Sequence, residues 1–235
     1  MLHNKTALIT GGTKGIGLGI AQSLLAEGMN VAITSRSKSA AEGVAAALGH
    51  PDRVLGIAAD VRNFEAQQAA VQAVLDKWGQ IDAMIANAGV GHFAPIDTMT
   101  AEQWNDVIDI NLTGVFYSTK ASLDALKASK GYLITIASLA GTNFFAQGAA
   151  YNASKFGLVG FTQAVMLDVR HAGVKVTTIM PGSVATHFNN HTPSEADAWK
   201  IQPEDIGKLV VDLLTMPARS LPSKIEIRPS APPKR

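Results

Sequence analysis

A tyrosine and a lysine four residues apart, Tyr151 and Lys155, are the side chains of this sequence that are best spaced for chemistry. In a helix, residues four apart lie on one face, so the phenol and the ammonium can enter one pocket. A cation beside a phenol favours its ionised form and lowers its pKa from about 10. A decrease of roughly three units would let Tyr151 donate or accept a proton near neutral pH. An exposed helix face carrying both residues is the alternative, so this interpretation needs a second signal.

That signal is a glycine-rich segment, TGGTKGIG at residues 10–17, which follows an apolar run and precedes a helical pattern. A strand, a glycine turn and a helix direct backbone N–H groups and the positive end of the helix at a phosphate. Glycine also permits positive φ and lets a pyrophosphate approach the backbone. The spacing GxxxGxG differs from the generic GxGxxG fingerprint, and a simple glycine turn is the alternative. Its place after the first strand predicts a dinucleotide site.

Together with four further motifs, the chain resembles the short-chain dehydrogenase/reductase family, in particular 3-oxoacyl-acyl-carrier-protein reductases and NADPH-dependent carbonyl reductases. The motifs occur in the order typical of the family: TGxxxGxG at 10–17, Asn-Ala-Gly at 87–89, Asn111, Ser138, YxxxK at 151–155 and Pro-Gly at 181–182. The resemblance implies that Asn111, Ser138, Tyr151 and Lys155 are catalytic.

In carbonyl reduction, the resemblance gives each of these residues a role. Ser138 would hydrogen-bond the carbonyl oxygen, and Tyr151 would give that oxygen its proton. Lys155 would lower the pKa of Tyr151 and bind the nicotinamide ribose. Asn111 would hold a water in a proton relay, although a local hydrogen bond within its helix is the alternative.

The predicted cofactor contacts come from the glycine turn, from the carboxyl ends of the strands and from the segment after Pro181. They are Gly11, Thr13, Lys14, Gly15, Ile16, Gly17, Ser35, Arg36, Asp60, Val61, Asn87, Ala88, Gly89, Tyr151, Lys155, Pro181, Gly182, Val184 and Thr186.

NADP(H) is predicted over NAD(H) from the end of the second strand, TSRSK at residues 34–38. An NAD site would place a carboxylate on the ribose hydroxyls there, and this segment has none. Arg36 can instead meet a 2′-phosphate through planar, charge-assisted hydrogen bonds. The resemblance places Lys14 near the same phosphate. Two solvated surface cations are the alternative.

The predicted substrate wall follows the fourth and fifth strands and continues beyond Pro181. Its residues are His92, Phe93, Ser138, Leu139, Phe144, Phe145, Tyr151, Phe188 and Trp199. The aromatic side chains favour an apolar or aromatic carbonyl compound, whereas burial in the core is the more common position of phenylalanine. The polar segment 183–202 is predicted to be a mobile lid.

The leading hypothesis is an NADPH-dependent oxidoreductase that reduces a ketone, either 3-oxoacyl or another small carbonyl compound, to a secondary alcohol. An NADP-linked dehydrogenase of a secondary alcohol or sugar is the alternative, and a nucleotide-sensing regulator without turnover is a third hypothesis. His187 and His191 are four residues apart, but no third ligand is evident, so no metal is predicted. A serine hydrolase is disfavoured because no GxSxG elbow surrounds Ser138.

The elements that must position these residues alternate along the chain. Strands are predicted near 6–10, 30–35, 53–59, 81–86, 132–137, 174–180 and 224–227, and helices near 15–27, 39–48, 64–78, 101–127, 149–171 and 203–215. Strands separated by helices predict a single α/β domain over residues 1–235. The expected fold is a Rossmann-like, doubly wound parallel sheet of about seven strands, with a loose tail from about residue 228.

Composition narrows the functional classes. The 235 residues carry a net charge of +1 and no long basic run, so no nucleic-acid partner is expected. No signal peptide or membrane-length apolar stretch is found, which favours a cytoplasmic protein without a membrane partner. The chain has no cysteine for disulfides or thiolate metal sites. A homo-oligomer, a tetramer or a dimer, is implied by the resemblance, and the long helical segments 101–127 and 149–171 carry small residues that suit close helix packing, namely Ala153, Gly157 and Gly160.

Overall fold

The computed structural model describes residues 2–232 of the chain. Within that part, seven strands alternate with helices. The strands are β1 (Thr6–Ile9), β2 (Asn30–Ser35), β3 (Val54–Ala58), β4 (Ala83–Ala86), β5 (Tyr132–Ile136), β6 (Lys175–Pro181) and β7 (Lys224–Ile227). The α-helices are α1 (Gly15–Ala26), α2 (Lys38–Leu48), α3 (Phe64–Trp78), α4 (Ala101–Ile108), α5 (Gly114–Ser129), α6 (Ala149–Val169) and α7 (Pro203–Thr215).

All seven strands are parallel and form one sheet in the order β3-β2-β1-β4-β5-β6-β7. In the register of the central strands, Ile9 pairs with Ile33 on one side and with Ile85 on the other. The strand order reverses between β1 and β4, and a crevice opens at such a point beside the carboxyl ends of the strands. The predicted doubly wound, Rossmann-like α/β fold is confirmed.

Helices cover both faces of the sheet, and the strand residues alternate between two cores. Leu8 and Met84 point to the core beneath α3 and α5, whereas their neighbours Ile9 and Ile85 point to the core beneath α1 and α7. All four side chains are at most 2% exposed. Burial on both faces explains why the strands are continuous apolar runs rather than alternating patterns.

One predicted helix is interrupted. The sequence predicts a continuous helix over 101–127, but the segment Asp109–Thr113 between α4 and α5 is a π-helix. The interruption keeps right-handed backbone angles on both sides, so apolar periodicity does not reveal it. It contains Asn111, and such π-segments are frequent at functional sites.

After β7 the chain continues as residues 228–232 without a helix or strand. Arg228, Pro229 and Pro232 line the cleft described below, while residues 233–235 of the predicted tail lie outside the described residues. In the described part of the chain, no helix combines the length and apolar character needed to cross a membrane.

Candidate active site

A cleft of about 1940 Å³ lies at the carboxyl ends of the strands, where the sheet order reverses. The glycine turn after β1 and the segments after the other six strands all contribute to its wall. Most of the site residues predicted from the sequence line this cleft. Gly17, Phe93 and Asn111 do not line it. They lie behind the lining residues and contact them.

Glycine is required in the turn because backbone segments meet there at close range. Gly11 and Gly15 have positive φ values of 65° and 55°. A Cβ on Gly11 would lie 3.0 Å from the Cα of Ala88, and one on Gly17 would lie 2.5 Å from the Nδ2 of Asn87. The turn leads directly into α1, whose first N–H groups have no partner within the helix and can bind a phosphate.

Asn87 joins the glycine turn to the segment after β4. Its Nδ2 donates to the carbonyl oxygens of Thr10 at 2.9 Å and Gly11 at 3.1 Å. In return, the hydroxyl of Thr10 accepts hydrogen bonds from the backbone N–H groups of Asn87 and Ala88. These bonds cross the point where the sheet order reverses, so they hold its two sides together.

The far end of the cleft, beyond β2, is cationic. Lys14 and Arg36 both line it and are exposed, and neither pairs with a carboxylate of residues 2–232. Ser37 caps the start of α2 by accepting a hydrogen bond from the N–H of Ala40 at 3.2 Å. The hydroxyl of Ser35 accepts the N–H of Ser37 at 3.3 Å. This arrangement of cations, hydroxyls and a helix start suits a phosphate monoester.

An ionic network that the sequence did not suggest runs along one wall of the cleft. Arg62 lies 2.7 Å from a carboxyl oxygen of Asp60 and 3.2 Å from one of Asp106. The other oxygen of Asp106 lies 3.0 Å from the Nε2 of His92. The hydrogen bond from Arg62 lowers the pKa of Asp60 below its usual value. The network therefore joins the expected adenine contact, Asp60, to the expected substrate contact, His92.

Tyr151 and Lys155 face one pocket, as their spacing in α6 predicts. The Nζ of Lys155 lies 5.6 Å from the centre of the Tyr151 ring and donates to the carbonyl oxygen of Ile136 at 3.0 Å. Lys155 is only 4% exposed, and burial lowers its pKa to about 8. An ammonium with that pKa is still mostly charged at pH 7.

The pKa of Tyr151 differs from the sequence expectation. Burial raises it above the usual value of a phenol, and the neighbouring Ser138 hydroxyl opposes that change. The prediction of a lowered pKa was wrong for the protein alone because it considered only the attraction of Lys155. The rings of Phe93 and Phe188 pack against Tyr151 and remove water from it, which disfavours the phenolate.

Ser138 follows β5 and begins the short 3-10 turn Leu139–Gly141. Its hydroxyl oxygen accepts the backbone N–H of Ala140 at 3.1 Å. A hydroxyl that accepts one hydrogen bond still has its own proton to donate. The turn thus leaves the Ser138 proton available to an oxygen in the cleft.

Asn111 bonds to neighbouring elements, not locally within its helix, so the local alternative is wrong. Its Oδ1 accepts the N–H of Val90 at 2.8 Å, and its Nδ2 donates to the carbonyl of Val90 and to Ser154. A Cβ on Gly89 would lie 3.3 Å from this Oδ1 and 3.7 Å from the Nζ of Lys155. Asn111 therefore lies behind Gly89 and close to the lysine.

Aromatic rings gather around Tyr151, at the end of the cleft where the sequence predicts the substrate. The ring of Phe93 lies 5.5 Å from that of Tyr151 and 5.9 Å from that of Phe145, and Phe188 lies 5.7 Å from Tyr151. Phe144 is 86% exposed and points away from the core. None of these phenylalanines belongs to the buried cores, so the core alternative does not hold for them.

The predicted lid, residues 183–202, has its own internal support. A parallel bridge joins Val184 to Ile201, and the carboxylate of Asp197 binds Lys200 and lies 2.6 Å from His191. The hydrogen bond with Lys200, and to a smaller extent the one with His191, lowers the pKa of Asp197 below its usual value. His191 is therefore the partner of a carboxylate, and the described residues contain no group of three side chains suited to a metal.

A comparison with known protein families agrees with the resemblance. Residues 5–197 match the model of the family described as short chain dehydrogenase. The chain belongs to the short-chain dehydrogenase family. The family resemblance inferred from the motifs is thus confirmed, and with it the class of the protein, an oxidoreductase.

Relatives in the family cover nearly the whole chain. A 3-oxoacyl-[acyl-carrier-protein] reductase of Synechocystis sp. is 35% identical over 226 residues, which are 92% of each chain. The structure of an alcohol dehydrogenase from the archaeon Thermococcus sibiricus, complexed with 5-hydroxy-NADP, has a TM-score of 0.91 and 27% identity, and covers 98% of this chain and 99% of its own. The structure of a 3-ketoacyl-(acyl-carrier-protein) reductase from Brucella melitensis, complexed with NADH, has a TM-score of 0.90 and 26% identity. It also covers 98% of this chain and 99% of its own.

Proposed function

We propose that this protein is an NADPH-dependent reductase that converts an apolar or aromatic ketone into a secondary alcohol. The observation that carries the proposal is the convergence of Ser138, Tyr151 and Lys155 at the aromatic end of a cleft whose opposite end is cationic. The aromatic end would receive the hydride acceptor, the cationic end would receive a charged phosphate, and both ends belong to one cleft.

The residues of the cleft fit a nicotinamide dinucleotide. Gly11 and Gly17 let the glycine turn pack closely against the segment after β4, and the start of α1 beside that turn suits a pyrophosphate. Gly89 lies close to Lys155, since a Cβ there would come within 3.7 Å of its Nζ, and both residues line the cleft where the nicotinamide ribose would bind. Asp60, Val61 and the segment from Pro181 to Thr186 would hold the adenine and the carboxamide. When bound, the cofactor supplies the hydride.

Arg36 and Lys14 favour NADPH over NADH. Structures of the family include one with an NADP derivative and one with NADH, so the choice depends on the residues of each chain. In this chain, Thr34, Ser35 and Arg36 offer two hydroxyls and a guanidinium to the cleft, and residues 34–38 contain no carboxylate. A carboxylate would accept the ribose hydroxyls of NADH, whereas a guanidinium binds the additional phosphate of NADPH.

The protein groups would handle the proton of the reaction. Ser138, whose oxygen already accepts a hydrogen bond from the N–H of Ala140, would donate a hydrogen bond to the carbonyl oxygen and orient it. Tyr151 would give its proton to the oxygen as negative charge develops there. A phenol whose pKa is raised is a weaker acid but stays protonated at neutral pH, so the proton is in place before hydride transfer. Lys155 would supply positive charge nearby, and Asn111 would hold a water that returns the proton.

Oxidation of a secondary alcohol is a second candidate, because the alcohol dehydrogenase of Thermococcus sibiricus shares the fold at a TM-score of 0.91. The same residues would act in reverse, with Tyr151 taking the alcohol proton. Because burial raises the pKa of the phenol, Tyr151 would have to lose its proton before it could take one from the alcohol, so the rate of oxidation should rise with pH.

We also propose that the protein forms a homo-oligomer through α5 and α6. Phe116, Phe156 and Leu167 are each at least 44% exposed on these helices, and Gly160 has open space above it. Such an apolar face with a small residue suits close helix packing between copies. Light scattering after size exclusion should give a multiple of 24.6 kDa, and a monomer would contradict this proposal.

A panel of ketones tests the proposed function, with NADPH consumption followed at the absorbance band of the reduced nicotinamide. We expect turnover of aryl and medium-chain ketones by the wild type and its loss in Tyr151→Phe, with the dissociation constant of NADPH unchanged. Turnover that survives in Tyr151→Phe would contradict the role of the tyrosine. NADPH binding without turnover of any ketone or alcohol would contradict the proposal as a whole.

A further inference from the structure

Asn152, the residue after Tyr151, points away from the cleft and bonds to the segment between β5 and α6. We name residues 139–148 the β5–α6 loop. The side chain of Asn152 donates to the carbonyl oxygens of Ala140 and Asn143, both at 2.8 Å, and its Oδ1 accepts the N–H of Phe145 at 3.4 Å. The residue is 9% exposed. One buried amide thus binds both halves of this loop.

Among side chains of this size, asparagine is the one that can make all of these hydrogen bonds. Its amide has two N–H donors, and each is used on a different backbone carbonyl. A carboxylate of the same size would offer no donor and would bring negative charge against two carbonyl oxygens. An alanine would leave the same carbonyls without their partner, and unsatisfied buried groups are costly.

The bonds hold the two groups of the loop that face the substrate. Ala140, whose carbonyl accepts from Asn152, also donates its N–H to the hydroxyl of Ser138. Phe145, at the other end of the loop, lies 5.9 Å from Phe93 in the aromatic wall. The loop also touches the segment after β4, because the N–H of Ala94 donates to the carbonyl of Gln147 at 3.1 Å.

Close packing around the loop leaves little room for another arrangement. A Cβ on Gly148 would lie 2.6 Å from the Oδ1 of Asn152 and 2.6 Å from the ring of Phe145. A Cβ on Gly141 would lie 2.8 Å from the carbonyl oxygen of Lys155. The loop is therefore seated on the same turns of α6 that carry Tyr151 and Lys155.

We propose that Asn152 is a positioning residue for substrate recognition: it holds the β5–α6 loop so that Ser138 and Phe145 face Tyr151. The inference rests on the proposed function, since it assumes that a ketone binds between these groups. Asn152 itself touches neither the substrate nor the cofactor. Its effect therefore falls on the KM of the ketone and on turnover, and not on the binding of NADPH.

The test uses Asn152→Ala and Asn152→Asp, with Thr142→Ala as the matched control. Thr142 lies in the same loop, is exposed and does not line the cleft, and its hydroxyl lies 3.2 Å from the carbonyl oxygen of Leu139 and 3.3 Å from a carboxyl oxygen of Glu226. For both Asn152 variants we expect the kcat/KM of an aryl ketone to fall roughly tenfold to a hundredfold, mainly through KM, as loss of buried hydrogen bonds predicts. The dissociation constant of NADPH should change less than about twofold.

A second measurement does not depend on turnover. Hydrogen exchange of the free protein should show faster exchange of the backbone amides in residues 139–148 in both Asn152 variants, with the amides of β1 and α1 unchanged. The control Thr142→Ala should match the wild type in kinetics and in exchange. A wild type without activity on any ketone would contradict the proposed function and leave the exchange measurement to decide on Asn152.

Two results would overturn the role of Asn152. One is an unchanged KM for the aryl ketone together with unchanged exchange of the loop. The other is a parallel loss of NADPH binding and turnover, which would show that Asn152 supports the fold as a whole and not the substrate wall.

Discussion

Replacement of Arg36 by alanine tests the cofactor preference directly. Arg36 is exposed at the end of β2, lines the cationic end of the cleft and pairs with no carboxylate of residues 2–232. Its guanidinium is therefore available for a phosphate. We expect Arg36→Ala to raise the KM of NADPH and to leave the KM of NADH nearly unchanged, because only NADPH carries the 2′-phosphate.

The magnitude follows from the exposure of the side chain. A hydrogen bond to a charged group contributes about 1.5–3 kcal/mol, and an exposed guanidinium belongs at the lower end of that range. About 1.5 kcal/mol corresponds to roughly a tenfold change in affinity. Lys14 remains as a second cation in Arg36→Ala, so the double variant with Lys14→Ala should lose more than either single variant.

Initial rates with NADPH and NADH, measured at two ionic strengths, provide the assay. Salt screens the attraction between solvent-exposed charges, and Arg36 supplies one of the exposed charges that would attract the 2′-phosphate. Added salt should therefore weaken NADPH binding more in the wild type than in Arg36→Ala. Lys38→Ala is the matched control. Lys38 is a nearby cation that lies outside the cleft wall and pairs with Glu42 at 3.8 Å. Equal changes in the two KM values for Arg36→Ala, or an effect of Lys38→Ala as large, would refute the reasoning.

Three further predictions concern the lysine, the glycine turn and the aromatic wall. Because burial lowers the pKa of Lys155 to about 8, the unfolded chain binds more protons at this residue between pH 8 and about 10.5, so its contribution to the unfolding free energy rises with pH there. Denaturant unfolding of wild type and Lys155→Met at pH 7.5 and 9.5 should show a steeper rise in the wild type, and parallel changes would contradict this. Gly17→Ala would place a methyl 2.5 Å from Asn87, so we expect a loss of about 1–3 kcal/mol of stability and weaker NADPH binding, measured by unfolding and by fluorescence titration. Full NADPH affinity in that variant would be inconsistent with the turn geometry. Phe188→Ala should raise the KM of an aryl ketone more than that of a small aliphatic ketone, because Phe188 packs on Tyr151, and equal changes would argue against an aromatic wall.

Much of the fold could be predicted from local patterns. The strand and helix boundaries agree with the sequence expectation to within two residues throughout the described chain, apart from the π-segment. That agreement has a physical reason, since strands buried on both faces are short apolar runs and three of the helices, α2, α3 and α4, begin with a side-chain cap. Thr100 and Gln103 form such a reciprocal cap at the start of α4.

The sequence alone also determined the order of the motifs and the placement of each beyond the end of a strand. A parallel sheet brings those ends to one edge, so Thr13, Asn87, Ser138 and Thr186 had to gather there once the fold class was known. Glycine spacing and the four-residue step from Tyr151 to Lys155 are local properties, and backbone geometry converts them directly into a turn and a shared helix face.

Only the tertiary structure decided which groups pair and how strongly they are shielded from water. Asn111 bonds to Val90, Asn152 bonds to the β5–α6 loop, and Arg62 joins Asp60 to Asp106, all without a signal in local spacing. The direction of the Tyr151 pKa shift also depends on rings that come from other segments. Desolvation and hydrogen-bond partners depend on residues far apart in the chain, and they are defined only after those residues pack together.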